Sequence, residues 1–357
     1  MNEKNVYLTL ANGKVFKGKR FGAEGAAVGE VIFSTGMVGY VETLTDPSNY
    51  GKIVVQTFPL IGNYGVMASD AESDKAHVAA YVVREICDKP SNFRMEGTLD
   101  AYLKEQGVVG IYDVDTRELT KILREEGTMN AKISDRPLTK SAKEKLAAYT
   151  LTDCVKAVAP KGVQEYGESN AKYAVAYWNF GAKKSSILRL VEQGCKVISL
   201  PVETTANEIL SLNVDGLVVG DGPGDAKQLL TVIDELKKLF GQIPMLGVGL
   251  GHQLMALALG ADTQKQKCGH RGSNQPVKYT QNGKVYISTQ NHDYVVKSNS
   301  LQTGKISFVN VNDNSCEGID YDDLNAFSVQ FMPESCVAGD TENPVYNKFF
   351  TMMGKEN

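Results

Sequence analysis

The sequence of 357 residues has little excess charge and no long apolar run. It contains 38 Lys and Arg against 42 Asp and Glu, a net charge of −4 at pH 7. That balance gives no strong positive field, so we expect neither nucleic acid nor a membrane as a partner. No apolar segment reaches the roughly 18 residues that a transmembrane helix requires, and the first residues are too polar for a signal peptide. We therefore expect a cytoplasmic protein.

Cysteine and histidine are few and scattered. The chain has six cysteines and four histidines, without a C-x-x-C pair or any spacing typical of metal ligands. Scattered cysteines are typical of reduced thiols rather than of a disulfide framework. The sequence therefore predicts no metal and no cofactor.

What the chain does contain is a strand, a glycine turn and an apolar helix around residues 244–253. Apolar residues surround Leu246, glycines follow at 247, 249 and 251, and residues 252–259 have a helical pattern. In α/β enzymes such a turn raises its middle residue above the sheet at a helix N-terminus. Here that residue is Gly249, which has no side chain to attack a substrate. The spacing also fits neither a dinucleotide fingerprint nor a P-loop.

The hydrophobic pattern indicates two domains, since 357 residues exceed one ordinary core. Residues 1–145 open with a hairpin around Asn12-Gly13 and continue as mixed α and β structure. Residues 146–171 are irregular and are predicted to be a linker. In residues 172–357 strands alternate with helices, which favours a doubly wound, mainly parallel sheet. Strands and hairpins are expected over 277–331. The predicted strands and helices of the alternating part are 173–177, 183–193, 196–200, 205–212, 216–220 and 225–240.

Short motifs throughout both halves match one known family. In the first half they are VGEVIF at 28–33, GY at 39–40, LTDPS at 44–48, GN at 62–63, SNFR at 91–94, DTR at 115–117 and LR at 123–124. In the second half they are FG at 180–181, GPGD at 222–225, LGHQ at 250–253, GH at 269–270, Asn274, PV at 276–277, QNH at 290–292 and PE at 333–334. The chain resembles the small subunit of carbamoyl-phosphate synthetase, whose C-terminal half is a class I glutamine amidotransferase.

This resemblance implies a reaction and a partner. Active members hydrolyse glutamine with a Cys-His-Glu triad and pass ammonia to a large ATP-dependent subunit. The nucleophile position falls on Gly249, the histidine position on Met332 and the carboxylate position on Glu334. Neither glycine nor a thioether can supply the missing thiolate or base. We therefore expect a structural or regulatory subunit whose own glutaminase is lost, paired with a large subunit that uses free ammonia.

The resemblance also implies a substrate pocket that is partly changed. A serine that contacts glutamine falls on Gly36, and a glycine falls on Asp293, which adds bulk and negative charge. The other implied substrate-binding positions are Gly222, Gly224, Leu250, Gln253, Asn291 and Tyr294. The backbone at Gly222, Gly224 and Leu250, with Gln253, is expected to be intact, whereas glutamine binding is expected to be weak or absent.

Several alternatives stay open at this stage. Cys268 or Cys336 could replace the missing thiol, although a scattered cysteine is more often a small buried hydrophobe. The chain could instead act alone as a regulatory protein that binds glutamine or a related carboxylate. The pathway, pyrimidine or arginine synthesis, is not fixed. Because Met332, Gly36 and Asp293 accompany Gly249, natural divergence is favoured over an engineered change.

Three histidines and three apolar residues are expected to have structural roles only. His252 is expected to pack or hydrogen-bond, and His270 and His292 to make structural hydrogen bonds. Met37, Tyr40 and Met67 are expected in the core.

Overall fold

The structure is a computed structural model that describes residues 4–337 and 343–354. The chain forms two compact units, Met1–Cys154 and Val155–Asn357. The outermost residues of the two predicted domains, 1–3 and 355–357, lie outside the described residues. Within the described ranges, no helix is long and apolar enough to cross a membrane.

The first unit is built around one closed sheet. Its strands are β1 Asn5–Leu10, β2 Val15–Gly22, β3 Ala27–Ser34, β4 Ile53–Gln56, β5 Leu60–Ile61, β6 Ala80–Val82, β7 Glu85–Ile86, β8 Val109–Tyr112 and β9 Met129–Ser134. Its helices are α1 Tyr40–Thr45, α2 Leu99–Glu105, α3 Thr116–Glu126 and α4 Lys140–Ala147. Seven strands close in the order β1-β2-β8-β6-β4-β3-β9, and β5 pairs with β7. The predicted mixed α and β fold of this half is confirmed.

Local signals explain the ends of several of these elements. Gly13 turns the β1–β2 hairpin with φ of 93°, a value that favours glycine. Helix α3 begins where the Asp115 carboxylate accepts the Glu118 N–H at 2.9 Å. It ends at Gly127, and its apolar face packs Leu119, Ile122 and Leu123 into the core.

Met37 is a correction to the predicted core. Tyr40 and Met67 are buried as expected, but the Met37 side chain is 65% exposed in the loop before α1. A loop residue is not bound by helical or strand periodicity, so hydrophobicity alone could not place it.

The second unit is a three-layer α/β fold. Its strands are β10 Gln164–Tyr166, β11 Tyr173–Trp178, β12 Cys195–Leu200, β13 Gly216–Val219, β14 Met245–Val248, β15 Thr263–Tyr279, β16 Val285–Val296, β17 Lys305–Asn310, β18 Cys316–Tyr321, β19 Ala326–Val329 and β20 Met332–Val337. Its helices are α5 Cys154–Val158, which begins at the unit boundary, α6 Lys184–Glu192, α7 Ala206–Ser211, α8 Leu230–Leu239, α9 Leu250–Ala258 and α10 Pro344–Met352. All eleven strands form one sheet, ordered β10-β12-β11-β13-β14-β19-β18-β17-β15-β16-β20.

Helices cover both faces of the parallel part of this sheet, which makes the fold doubly wound. Strands β12, β11, β13, β14 and β19 are parallel neighbours. Helices α7, α8 and α9 pack in the core cluster on one face, and α6 and α10 pack in the other cluster. The expected alternating fold and the hairpins after it are confirmed. The helix predicted over 225–240 is divided into a short 3₁₀ turn, Ala226–Gln228, and α8.

The region predicted as a linker carries regular structure. It contains α5 and also β10, which pairs antiparallel with β12 from Gln164 to Tyr166. The division of the chain into functional domains at 1–145 and 172–357 remains a prediction.

Candidate functional site

The predicted strand, turn and helix are present as β14, Gly249 and α9. Gly249 has φ of 57° and ψ of −110°, and its N–H donates to the carbonyl of Val329 at 3.0 Å. Helix α9 then starts close against the neighbouring strand. A Cβ on Gly251 would lie 1.9 Å from the Val219 carbonyl oxygen, so only glycine fits there. The backbone therefore forms the predicted strand, tight turn and helix, with glycine at the middle of the turn.

The side chain of Asp221 occupies the space that a nucleophile would need. A Cβ built on Gly249 would lie 2.1 Å from Asp221 Oδ1 and 2.4 Å from its Cγ. The same oxygen accepts the backbone N–H of Leu250 at 2.9 Å. In a nucleophile elbow, that N–H stabilises the oxyanion of the reaction. Asp221 therefore fills the space beside Gly249 and also pairs with the Leu250 N–H.

The substrate-binding role expected of the Leu250 backbone stays a prediction, and its N–H is hydrogen-bonded to Asp221 in this structure. Gly222 and Gly224 do keep the tight turn that the sequence predicts. A Cβ on Gly222 would lie 2.4 Å from the Phe180 carbonyl oxygen, and Gly224 has φ of 96°. The turn is therefore preserved, but the Leu250 N–H is already paired with a carboxylate.

Sequence reasoning missed Asp221, although strand order could have located it. Strands β13 and β14 are parallel, with Val219 opposite Gly247. Asp221 and Gly249 each follow two residues later, at the same carboxyl edge of the sheet, where α/β proteins place their ligands. The necessary signal was the pairing of these two strands, which no single motif reveals.

Of the other two predicted triad positions, the one implied for histidine holds no base. Met332 opens β20 and is 2% exposed, and its thioether has no proton to exchange. Glu334 Oε1 accepts the hydroxyl of Ser186, on α6, at 2.8 Å. Glu334 also lines a small cavity with Tyr177 and Val248, directly before the elbow. The carboxylate is thus held by a hydroxyl group instead of an imidazole.

The positions implied for glutamine contacts are largely engaged with one another. Asp293 forms an ion pair with the guanidinium of Arg271, and both side chains are nearly buried, so its expected negative charge is compensated. Gln253 Nε2 donates to the Tyr294 carbonyl at 3.1 Å and to Gln330 Oε1 at 3.0 Å. Asn291 lies on β16 with Asp293 and Tyr294. The role of these residues in glutamine binding stays a prediction.

Gly36 belongs to the first unit. It lies in the loop after β3, where its N–H donates to Ser34 Oγ at 3.4 Å and its carbonyl accepts Gln56 Nε2. Its predicted role in substrate binding stays a prediction.

The histidines make the hydrogen bonds that the sequence favoured. His252 Nδ1 is 2.8 Å from the Ser328 hydroxyl, and the side chain is buried. His270 lies between the Asp313 and Glu317 carboxylates, and His292 Nδ1 is 3.0 Å from the Tyr294 carbonyl oxygen. None of these imidazoles occupies the place of Met332.

Burial of His252 predicts acid sensitivity of the second unit. Burial lowers the pKa of His252 to about 3, against roughly 6.5 in an unfolded chain. Since the unfolded chain takes up the extra proton, this contribution to stability is present above pH 6.5. It is lost as pH falls toward 3, by up to about 1.4 kcal/mol per pH unit. We expect the free energy of unfolding of His252→Asn to change less across this pH range than that of the native protein.

Denaturant unfolding followed by tryptophan fluorescence measures this effect, because the sole tryptophan, Trp178, is buried in the second unit. His77→Asn, which changes a histidine of the first unit, is the matched control. If the free energy of unfolding of His252→Asn fell with pH as steeply as that of the native protein, the assignment of this pH dependence to His252 would be wrong.

The buried thiols are poor substitutes for a nucleophile. Burial raises the pKa of Cys195, Cys316 and Cys336 to about 12, so the reactive thiolate is scarce at neutral pH. We expect iodoacetamide at pH 7.5 to leave these three thiols unmodified in the folded chain and to alkylate them in urea. Mass spectrometry of the digested protein measures the modification. Rapid labelling of Cys336 in the folded chain would reopen its role as a replacement nucleophile.

The doubly wound sheet of the second unit is consistent with the α/β fold of a class I glutamine amidotransferase domain. The family model described as "Glutamine amidotransferase class-I" matches residues 177–352. The model for the carbamoyl-phosphate synthase small chain, CPSase domain, matches residues 8–133. The chain belongs to the carbamoyl-phosphate synthase small chain family.

Two relatives align with this chain over almost the whole length of both proteins. The carbamoyl phosphate synthase small chain of Clostridium perfringens is 43% identical over 96% of this chain and 97% of its own length. The carbamoyl phosphate synthase small chain of Bacillus caldolyticus is 41% identical over 98% of this chain and 97% of its own length. Among solved structures, a glutamine amidotransferase from Thermotoga maritima has a TM-score of 0.35 and 20% identity, over 45% of this chain and 75% of that one.

Proposed function

We propose that the chain is a small subunit of carbamoyl-phosphate synthase that lacks glutaminase activity and serves a large ATP-dependent subunit structurally or as a regulator. Asp221 is the observation that carries this proposal. The elbow has lost its thiol at Gly249 and its base at Met332, and the freed space is filled by a carboxylate that also binds the Leu250 N–H. Free ammonia is then the nitrogen source of the large subunit.

Exposed apolar side chains of the first unit support the existence of a partner. Phe93 is 97% exposed, Val38 is 70% exposed and Met37 is 65% exposed. Isolated apolar side chains are ordinary on surfaces, but Phe93 belongs to the SNFR motif that this chain shares with the family. The first unit therefore offers apolar anchors for a binding surface.

Copurification tests this association. A tagged copy expressed in the native cell should retain a large ATP-dependent subunit, identified by mass spectrometry. Phe93→Asp should lower the retained amount at least tenfold, since it places a charge in a buried contact. Val163→Asp, which changes a residue 60% exposed in the second unit, is the matched control. Failure of the native chain to retain a large subunit would refute the partnership.

A stand-alone sensor of glutamine is disfavoured by the same contacts. A bound carboxylate or amide would have to displace Asp221 from Leu250 and face the paired Arg271 and Asp293. Calorimetry on the isolated chain should show no heat with glutamine or glutamate. Saturable binding of either compound would favour the sensor.

A further inference from the structure

Three metal-binding side chains converge in the second unit, beside the predicted substrate strand. They are His270 on β15, His292 on β16 and Glu317 on β18. One nitrogen or oxygen atom of each lies within 4.8 Å of the corresponding atoms of the other two. Glu317 and His292 are buried, and the His270 side chain is 13% exposed. Because three strands contribute, the spacing in the sequence gave no sign of the cluster.

Both imidazoles are oriented by an oxygen acceptor on their outer side. His270 Nε2 lies 2.9 Å from Asp313 Oδ2, and His292 Nδ1 lies 3.0 Å from the Tyr294 carbonyl oxygen. The Gln266 amide Nε2 also lies 3.2 Å from His270 Nε2, on the same outer side of the ring. The inner nitrogens, Nδ1 of His270 and Nε2 of His292, therefore point toward the cluster. Metal-bound histidines are commonly oriented in this way, by an outer carboxylate or carbonyl group.

The inner nitrogens face oxygen atoms at short distances. His270 Nδ1 is 3.1 Å from Glu317 Oε1, and His292 Nε2 is 3.2 Å from Gln290 Oε1. The Gln290 amide is held in this orientation because its Nε2 donates to Glu317 Oε2 at 3.1 Å. An oxygen atom therefore lies within hydrogen-bond distance of the inner nitrogen of each ring.

A divalent cation would satisfy these atoms together. A tetrahedral ion with bonds of about 2.1 Å holds its ligand atoms roughly 3.4 Å apart, close to the 3.1 Å between His270 Nδ1 and Glu317 Oε1. The full set must contract by roughly an ångström around the ion. Two imidazoles and one carboxylate are typical ligands for zinc, whereas Mg²⁺ and Ca²⁺ prefer oxygen alone.

We propose that His270, His292 and Glu317 bind a divalent transition-metal ion of the zinc class. Asp313 orients His270 from outside, and the Gln290 amide oxygen lies beside the set. Binding displaces the proton on His270 Nδ1 into solvent, where buffer accepts it. The ion would join β15, β16 and β18, next to the positions of Asn291 and Asp293. This proposal is independent of whether the chain hydrolyses glutamine.

Zinc titration of the chelator-treated, full-length protein tests the site. We expect one equivalent of ZnCl₂ to bind and to raise the unfolding temperature, while MgCl₂ at the same concentration does neither. Glu317→Gln should weaken zinc binding at least tenfold. Asp313→Asn should weaken it roughly 10- to 100-fold, because residues that hydrogen-bond to metal ligands change the metal affinity by that amount. His77→Asn, outside the cluster, should bind zinc like the native chain.

A cobalt spectrum distinguishes this cluster from the free cysteines. Co²⁺ bound by imidazole and carboxylate lacks the near-ultraviolet thiolate band that cysteine ligands produce. The side chain of Asp313 is 43% exposed, so Asp313→Asn should fold even if Glu317→Gln does not; circular dichroism checks both. Absence of saturable zinc binding, native affinity in Asp313→Asn, or a thiolate band would each overturn the proposal.

Discussion

Gly249→Cys combined with Met332→His should restore almost no glutaminase activity, whereas adding Asp221→Ala should raise glutamate release by several orders of magnitude. Loss of the nucleophile in a comparable triad costs roughly six orders of magnitude in rate, and the residues of a triad act as one unit. Restoring the thiol and base therefore supplies the missing chemistry only if the thiol can take its position. Glu334, the position implied for the triad carboxylate, lies two residues along β20 from the new imidazole.

Asp221 opposes the restored thiol in three ways. Its Oδ1 lies 2.1 Å from the place of the new Cβ. Its negative charge disfavours a neighbouring thiolate. Its bond to the Leu250 N–H removes an oxyanion donor, and one such donor contributes roughly 10²- to 10³-fold in rate.

Glutamate release from glutamine, measured for the double and triple variants, tests this account. Asp221→Ala alone is the control and should stay inactive, since it restores neither thiol nor base. Equal activity of the double and triple variants would show that Asp221 does not block the elbow.

The complex with the large subunit should form carbamoyl phosphate from ammonium and not from glutamine. The physical reason is that no described side chain at the elbow can attack the glutamine amide. With the nucleophile absent, the glutamine-dependent rate should fall by up to about six orders of magnitude relative to an active small chain. The ammonium-dependent rate should be unaffected, because ammonia needs no hydrolysis.

The measurement compares carbamoyl phosphate formed from ammonium chloride and from ammonia-free glutamine under saturating ATP and bicarbonate. A complex of the same large subunit with an active small chain of the family provides the control. Robust glutamine-dependent synthesis that disappears in Cys268→Ser or Cys336→Ser would show that another thiol has taken over.

Local features of the fold were predictable from the sequence because each rests on neighbouring residues. The hairpin around Gly13, the elbow at Gly249 and the cap at Asp115 depend on glycine conformations and capping side chains within a few positions. The alternation of strands and helices likewise predicted the doubly wound sheet. The assignment of the triad positions rests on the family motifs around them and stays a prediction.

Features that depend on strand pairing were not predictable in the same way. Asp221 reaches Gly249 because β13 lies beside β14, and the cluster of His270, His292 and Glu317 needs three strands to be in register. Met37 was misplaced because its hydrophobicity says nothing about which side of a loop it faces. In each case the missing information was which distant segments are neighbours.

The central claim is that this chain does not hydrolyse glutamine, and glutamate release by its native complex tests it most directly. The complex is incubated with glutamine, ATP and bicarbonate, and glutamate is measured against a reaction without protein. We expect no glutamate above that background, with carbamoyl phosphate formed once ammonium is added. Steady glutamate release that depends on the amount of native complex would contradict the account.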